Sequence, residues 1–562
     1  MRKLKALIVA LIAMVCFTPA VASAAEAVIK GVVTDNGGKP VRGAIVKAAL
    51  DIKSISRFTQ NDGSYEIAVA PGTYTVSVDA FGFGVKQMSV DTAKSGDTDF
   101  SLSPAALELS RLTGAELEGI LPASSAKTLI ASRCIQCHAF ATVIHRRGST
   151  AEEWREFLPG MARGSSDEPF GNTPPATLDA LSAALGTAFG PDSPQFGTDA
   201  DAKSWANVKH LDLSDDALRA TIVEYKIAKV TSRPHSIEVD AKNNTAWFAE
   251  QSFFTNRAAS FDMDTETLHE YPLITERARP HTGAVAADGT YWVALSHGND
   301  PAKLASVNPK TGEVKEYNWP EKAKIPGHTL AIDRAGIIWL TGSPSGEIWA
   351  FNPETKQFKA YNNPAPQTVP KGSVQDWQQS NGEAPSSPDG TTYDAAVDNE
   401  GMVWFSEVAL GMLVRLNPAT GDVKEYRPEG VVNIRGITVD PQDNLWFGDF
   451  LGHRFGKMNV KTGVVKFYKP PTPNATVYGE TFNAVDGNIW FADMNGNNIT
   501  RFNPRTEKFT EFPIPARADR SYARFIAADA KGRVWFTEYF GDKIGYVDPS
   551  GGDESRHMAS LK

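Results

Sequence analysis

Cysteine, positive charge and long apolar runs are all scarce in this chain, and each shortage excludes something. Three cysteines stand among 562 residues, at Cys16, Cys134 and Cys137. A disulfide framework is therefore not what holds the fold together. The formal net charge is −9, which argues against a nucleic-acid partner, since that would need a basic patch. Beyond the first two dozen residues no stretch is apolar and long enough to cross a bilayer, so no membrane span is expected. No G-x-G-x-x-G fingerprint occurs, which argues against a nicotinamide cofactor.

What is there begins with an export signal. Arg2, Lys3 and Lys5 border an apolar stretch from Leu4 to Phe17, and Ala22-Ser23-Ala24 is a small-x-small cleavage site. Residues 1–24 are expected to be a cleavable signal peptide and the protein to be periplasmic or otherwise exported. Their removal leaves a charge of about −12. It also removes Cys16, so the remaining thiols are the pair in Cys134-Ile135-Gln136-Cys137-His138. Two thiols at C-x-x-C-H spacing can add to the two vinyl groups of one haem, with the imidazole beneath the iron. A thioredoxin-like pair or half a zinc site has the same spacing, but no βαβ pattern and no second cysteine pair accompanies it. One covalent haem c is expected on Cys134 and Cys137, with His138 as proximal iron ligand.

Helical patterns flank the motif. Ser124 or Ser125 can cap a helix running into Cys134, Ala151 to Leu158 reads as a second, and Thr177 to Phe189 as a third, with Leu178, Leu181, Leu185 and Phe189 at helical period. The order helix, C-x-x-C-H, helix, methionine, helix over 105–195 resembles a small class I cytochrome c domain. Met161 follows the second helix and is expected as the distal iron ligand; His145 is the alternative and His210 a more remote one. Arg146 and Arg147 are candidates to pair with haem propionates.

Residues 26–103 read as a β-sandwich. Strands are expected at Val28 to Thr34, Val41 to Ala49, Glu66 to Val69 and Thr75 to Val78, separated by turns such as Asn61-Asp62-Gly63 and Pro71-Gly72. The segment resembles the carboxypeptidase regulatory-like domain, which implies a transthyretin-like spacer or binding module without catalytic residues. Residues 196–220, rich in Asp, Ala and Ser, read as a linker.

Beyond them one pattern recurs. Trp247, Trp292, Trp339, Trp404, Trp446, Trp490 and Trp535 each follow an aspartate and precede an Asn-Pro-like turn and a Glu-Tyr-like strand, at intervals that are mostly 42 to 47 residues. Four-stranded units of this length imply a seven-bladed β-propeller over 221–550, followed by a tail at 551–562. The fold class is therefore mainly β: an N-terminal sandwich, a small all-α domain and a C-terminal propeller. Ile222 to Ile227 matches the outer Glu-Tyr strand and is expected to close the last blade; the competing reading makes Ser214 to Tyr225 a helix. The interval from Trp339 to Trp404 is longer, and its excess near 362–390 reads as a disordered bulge or a lid.

The start of each inner strand carries a different polar residue: His235, His281, His328, Tyr393, Arg435, Tyr478 and Arg524. The next strand ends in Glu250, Leu295, Gly342, Glu407, Asp449, Asp493 and Glu538, with His297 just past Leu295. Such variety on a rigid scaffold suits a binding site. His235, His281 and His328 are candidates to hold an additional metal ion or to act as acid and base, with Glu250 joining or orienting them. The bland reading has these groups pairing with each other, as Arg435 and Asp449 can.

This part of the chain resembles the virginiamycin B lyase family, through Pro234-His235-Ser236-Ile237, Trp535-Phe536-Thr537-Glu538 and Asp542-Lys543-Ile544-Gly545. The resemblance implies opening of a cyclic depsipeptide by elimination, using histidine, glutamate and Mg2+ on one propeller face. The Glu-x-His pair of such lyases has no counterpart here: Glu250 precedes Gln251-Ser252, Glu407 precedes Val408-Ala409, and Glu538 precedes Tyr539-Phe540. The functional expectation is an oxidoreductase or electron-transfer protein. Its substrate or partner would bind at the propeller face, and a redox protein or respiratory carrier would exchange electrons with the haem. A lyase-like enzyme and a non-enzymatic binding module are the alternatives.

Overall fold

In a computed structural model, residues 27–94, 96–106, 108–121, 127, 130, 133–135, 138–161, 174–193, 208–227, 231–252, 254–295, 303–320, 327–342, 348–361, 371, 373, 392–516 and 521–551 are described. Alternating apolar residues build the first unit. Strands β1 (Ala27–Asp35), β2 (Ile45–Leu50), β3 (Lys53–Phe58), β4 (Ser64–Val69), β5 (Thr73–Asp79), β6 (Lys86–Asp91) and β7 (Phe100–Leu102) form two sheets, ordered β4-β1-β7 and β3-β2-β5-β6. Ile29 and Val33 of the first face Val46, Val76 and Val78 of the second in one buried cluster. The second strand starts later than expected, at Ile45; Val41 instead hydrogen-bonds back to the Val33 carbonyl in a turn. Gly63 sits at φ 78°, where a Cβ would lie 2.4 Å from the Val33 carbonyl oxygen.

Helices follow. α1 (Gly114–Ile120) is fixed by a capping box between Thr113 and Glu116. A 3-10 stretch covers Phe140–Arg146, and α2 (Ala151–Met161) and α3 (Pro175–Phe189) pack on each other. α3 begins two residues earlier than expected, because proline suits a first helical turn. α2 continues through Pro159 to Met161, so this methionine ends the helix rather than following it. The expected Ser124/Ser125 cap, Cys137, His297 and most of 362–390 lie outside the described residues, as do residues 1–24 and 552–562.

The remaining strands form a propeller-like body. Six sheets of four strands span 234–272, 280–318, 327–361, 392–426, 434–468 and 477–513. The first strands of successive sheets touch in turn, and Ile526–Ala528 returns to Pro234–Asp240, closing a ring. The recurring Asp and Trp bond to each other: the indole N–H donates to the aspartate from Trp339, Trp404, Trp446, Trp490 and Trp535 at 2.8–3.1 Å. Each pair ties a buried ring to its own hairpin turn.

Ring closure uses a strand from the other end of the body. α4 (Asp215–Leu218) is four residues long, and β8 (Thr221–Lys226) then pairs antiparallel with Lys543–Asp548. The helix expected as the competing reading of Ser214 to Tyr225 therefore stops after one turn. The second edge of β8 is not exposed. It pairs with β3 of the sandwich, Ile55 opposite Val223, giving one sheet of eight strands that runs through both units. Leu213, Ala217 and Leu218, from the segment read as linker, are buried against Phe58 and Phe512.

Candidate functional site at the propeller mouth

Residues at or just before the start of the inner strands meet around the axis, as equal positions of a repeat must. His235 and His281 have ring centroids 3.8 Å apart, His281 and His328 4.2 Å, and His328 and Tyr393 3.9 Å. The Tyr393 and Tyr478 hydroxyls are 2.5 Å apart, and Arg435 donates to the Tyr393 hydroxyl at 2.7 Å. Arg524 donates to His235 Nε2 at 2.8 Å and to the Tyr522 hydroxyl at 3.3 Å, which completes the circle. All eight residues are buried.

The three imidazoles are together, as expected. Their rings pack against one another. His281 Nδ1 donates to the His328 carbonyl and His328 Nδ1 to the Tyr393 carbonyl, both at 3.0 Å. Each thereby staples its sheet to the next. Among the described residues no three His, Cys, Asp or Glu side chains are placed to hold a metal ion. Burial, and then the charge of Arg524, hold His235 well below the usual imidazole range; burial and the neighbouring imidazoles do the same for His281. Both are neutral at ordinary pH.

Glu250 does not join them. It is buried in an ion pair with Arg257 at 2.8 Å. Asp449 pairs with Arg454 at 2.6 Å, not with Arg435 as the bland reading has it. Glu538 accepts from Ser521 at 2.7 Å and lies 3.4 Å from Lys543, while Asp493 accepts from the Thr476 and Gly496 amides. These carboxylates clamp hairpins and loops at the sheet ends.

The helical segment covers this face. Ile135, Phe140 and Phe189 share one apolar cluster with Tyr393, Phe450, Tyr478, Met494, Tyr522 and Tyr539. Asn495 anchors it: its Oδ1 accepts from the Phe140 amide at 3.1 Å, its Nδ2 donates to Glu118 at 3.0 Å, and its carbonyl accepts from the Ala115 amide at 2.9 Å. Sequence reasoning missed Asn495; its one signal is the turn Asn495-Gly496-Asn497, one residue beyond the strand-ending Asp493.

Over this mouth stand the residues of the C-x-x-C-H motif that are described. Cys134 is buried. His138 is half-buried, with Nδ1 2.5 Å from the Thr142 hydroxyl and 3.2 Å from the Ala139 carbonyl. Burial pushes it down to about 4, and the charge of Arg524 adds to that. His145 is exposed on the 3-10 stretch. His210 is elsewhere: it stacks on Phe81 at 4.0 Å and lies 2.7 Å from Glu116, between sandwich and α1. Arg146 lies over the Phe157 ring at 3.7 Å.

Comparison with known proteins gives two family matches: the virginiamycin B lyase family over residues 382–560 and the carboxypeptidase regulatory-like domain over 28–103. Among solved structures, the chain is similar to a selenomethionine-substituted virginiamycin B lyase from Staphylococcus aureus. Identity is 22%, covering 58% of this chain and 99% of that one, with TM-score 0.48. A streptogramin B lyase matches at 21% identity, covering 58% and 97%, with TM-score 0.49. A catalytically inactive virginiamycin B lyase from Staphylococcus aureus with quinupristin matches at 21%, covering 58% and 99%, with TM-score 0.48. No curated protein matches. The chain thus joins a carboxypeptidase regulatory-like sandwich to a virginiamycin B lyase-like propeller domain.

Proposed function

We propose that this chain is an exported c-type haem protein of the electron-transfer or oxidoreductase class, with its haem-bearing helices seated on the mouth of a seven-bladed propeller. The observation that carries the reading is the setting of His138. Its Nδ1 is engaged by Thr142 and Ala139, which leaves Nε2 as the ring nitrogen for an iron, and its neighbour Cys134 is buried beside apolar side chains. Its low proton affinity suits a ligand, because only the neutral ring donates. The residues present therefore fit the group. Cys134 and Cys137 would hold it covalently, His138 would bind the iron, and Met161 or His145 would take the sixth position. When bound, the haem supplies a one-electron couple. The protein's own contribution is orientation of His138 and exclusion of water by Phe140, Phe189 and the mouth tyrosines. A soluble redox protein or respiratory carrier is the expected electron partner.

The test is a denaturing gel stained for haem. The wild type should keep its stain, and Cys137→Ala should lose the covalent signal; a wild type without stain sinks the reading. The family match over 382–560 supports a second reading, elimination on a cyclic depsipeptide. Against it stand the clamped carboxylates and the helices covering this face. Mg2+-dependent ring opening by the purified chain would favour it.

A further inference from the structure

Several propeller sheets place a cation at one register of their third strand. Arg257 lies opposite Glu250, Lys303 opposite Leu295, Arg454 opposite Asp449 and Lys543 opposite Glu538. In two of these sheets the cation stands between two carboxylates. Arg257 pairs with Glu250 at 2.8 Å and with Glu270 of the outer strand at 2.7 Å; Lys543 lies 3.4 Å from Glu538 and 2.6 Å from Glu224. The sheet over 477–513 keeps both carboxylates and lacks the cation. Asp493 stands at the register of Glu250 and Glu538, Glu511 at that of Glu270 and Glu224, and Asn498 at that of the cation. The hairpin is otherwise the same. Asp449 to Arg454, Asp493 to Asn498 and Glu538 to Lys543 are equally long, with Gly452, Gly496 and Gly541 at one turn position. In the sheet over 392–426 Met412 also replaces the cation, but Glu425 there pairs with Arg427 at 2.6 Å.

What the sheet over 477–513 gains instead is oxygen. The residue two beyond the cation is Ala259, Ala305, Gly456 or Gly545 in the charged sheets. Here it is Thr500, directly opposite Glu511 and on the same sheet face. Asp493 Oδ1 accepts from the Thr476 and Gly496 amides, and Glu511 Oε1 from the Thr472 amide. Asp493 Oδ2, Glu511 Oε2 and Thr500 Oγ1 have no hydrogen-bond partner among the described residues, although the three residues are 0%, 5% and 0% exposed. Buried carboxylates without a counter-charge are costly. Burial pushes Asp493 up to about 7, with the neighbouring Glu511 adding to it, and pushes Glu511 up as well. Beside them Thr472, Gly496, Asn497 and Asn498 line a cavity of about 680 Å3 between sandwich, α1 and propeller, which gives an ion a way in.

We infer that Asp493, Glu511 and Thr500 hold a divalent cation of the calcium class, in the place that Arg257 and Lys543 fill in their own sheets. Two carboxylates balance its charge. Carboxylate, hydroxyl and the Asn498 amide are hard oxygen donors of the kind Ca2+ takes, in a geometry less exacting than Mg2+ demands. The ion replaces a side chain and ties the outer strand of this sheet to its central hairpin. The site lies within one sheet, not in the ring of mouth side chains, and it stands independently of the haem reading.

The full exported chain is stripped of metal with a chelator and titrated with Ca2+ at pH 8 by calorimetry, and its melting temperature is followed in parallel. One ion should bind per chain and raise the melting temperature. Asn498→Arg copies Arg454 on a hairpin of the same length. It should abolish that binding and, without Ca2+, melt above the metal-free wild type. Thr500→Ala copies Ala259, so it removes a ligand without disturbing the strand, and it serves if the arginine variant does not fold. It should weaken binding at least tenfold, as should Glu511→Gln. No Ca2+ binding by the wild type overturns the inference and leaves a shared proton as the counter-charge. Binding that Asn498→Arg or Thr500→Ala leaves unchanged puts the ion elsewhere and overturns it as well.

Discussion

The sandwich and the helical segment both dock on the propeller body, and they do so by different physics. The sandwich joins through backbone. Five residue pairs link β3 to β8, and such a ladder fixes register and angle with little regard to side chain. One buried carboxylate locks it: Glu224, 1% exposed, lies 2.8 Å from Lys47 of the sandwich and 2.6 Å from Lys543 of the propeller. The helical segment joins mainly through side chains, by an apolar cluster and the Asn495 anchor, with a backbone bond from the Ala115 amide to the Asn495 carbonyl beside them. A backbone joint makes a lever of fixed angle, whereas a side-chain joint can be tuned, or opened, one residue at a time.

The largest effect is expected where the backbone joint keeps its buried charge lock. Glu224→Ala leaves Lys47 and Lys543 facing each other and should cost about 3 kcal/mol, the low end for a broken buried pair because both lysines keep some solvent. Amide exchange at 53–57 and 221–226 should then accelerate. Unchanged protection there would show that the ladder alone holds the joint. Asn495→Ala strands the Phe140 amide and Glu118 and should cost about 2 kcal/mol. It should accelerate exchange at 114–120 and 140–146 while leaving β3 and β8 as they were; coupled loss at both places would collapse the distinction.

The two joints should also respond to pH in opposite senses. Burial raises Glu118 to about 7, against the pull of Lys127 and Asn495. Its folded value stands above the unfolded one of roughly 4.3. Its contribution is complete below that value and is lost as pH rises through about 7. Burial pushes Glu224 up too, but Lys47 and Lys543 outweigh it and hold this carboxyl well below its ordinary range. Its contribution is present above roughly 4.3 and is lost in acid. Protection of 114–120 should thus fall between pH 5 and 8, while that of 221–226 holds. Glu118→Gln, which keeps a bond to Asn495, should remove the slope.

Much of the frame was legible because repeats state their own geometry. The tryptophan period placed the sheets, and the Glu-Tyr motif placed β8 beside Lys543–Asp548. The same periodicity put His235, His281 and His328 on one circle. It carried no information about what the imidazoles do there, since stacking and metal binding begin from the same spacing. Glu250 was misread because its partner Arg257 sits on the next strand, where nothing in the local pattern marks a pair. The β3–β8 joint was invisible for a different reason: a strand with two polar-tolerant edges looks the same whether one or both are paired. Asn495 was missed because a single asparagine in a turn ordinarily serves the turn.

Closure by β8 also sets a timetable. Lys543 and Glu224 bond across 319 residues of sequence, so the ring stays open until almost all of the propeller has emerged. The helical segment is made early, yet Asn495 and Tyr522, on which it sits, are made late. During that interval Cys134 and His138 have no seat to occlude them. If haem is attached as proposed, its addition to Cys134 would fall in this window, before the last sheet arrives and shuts the door.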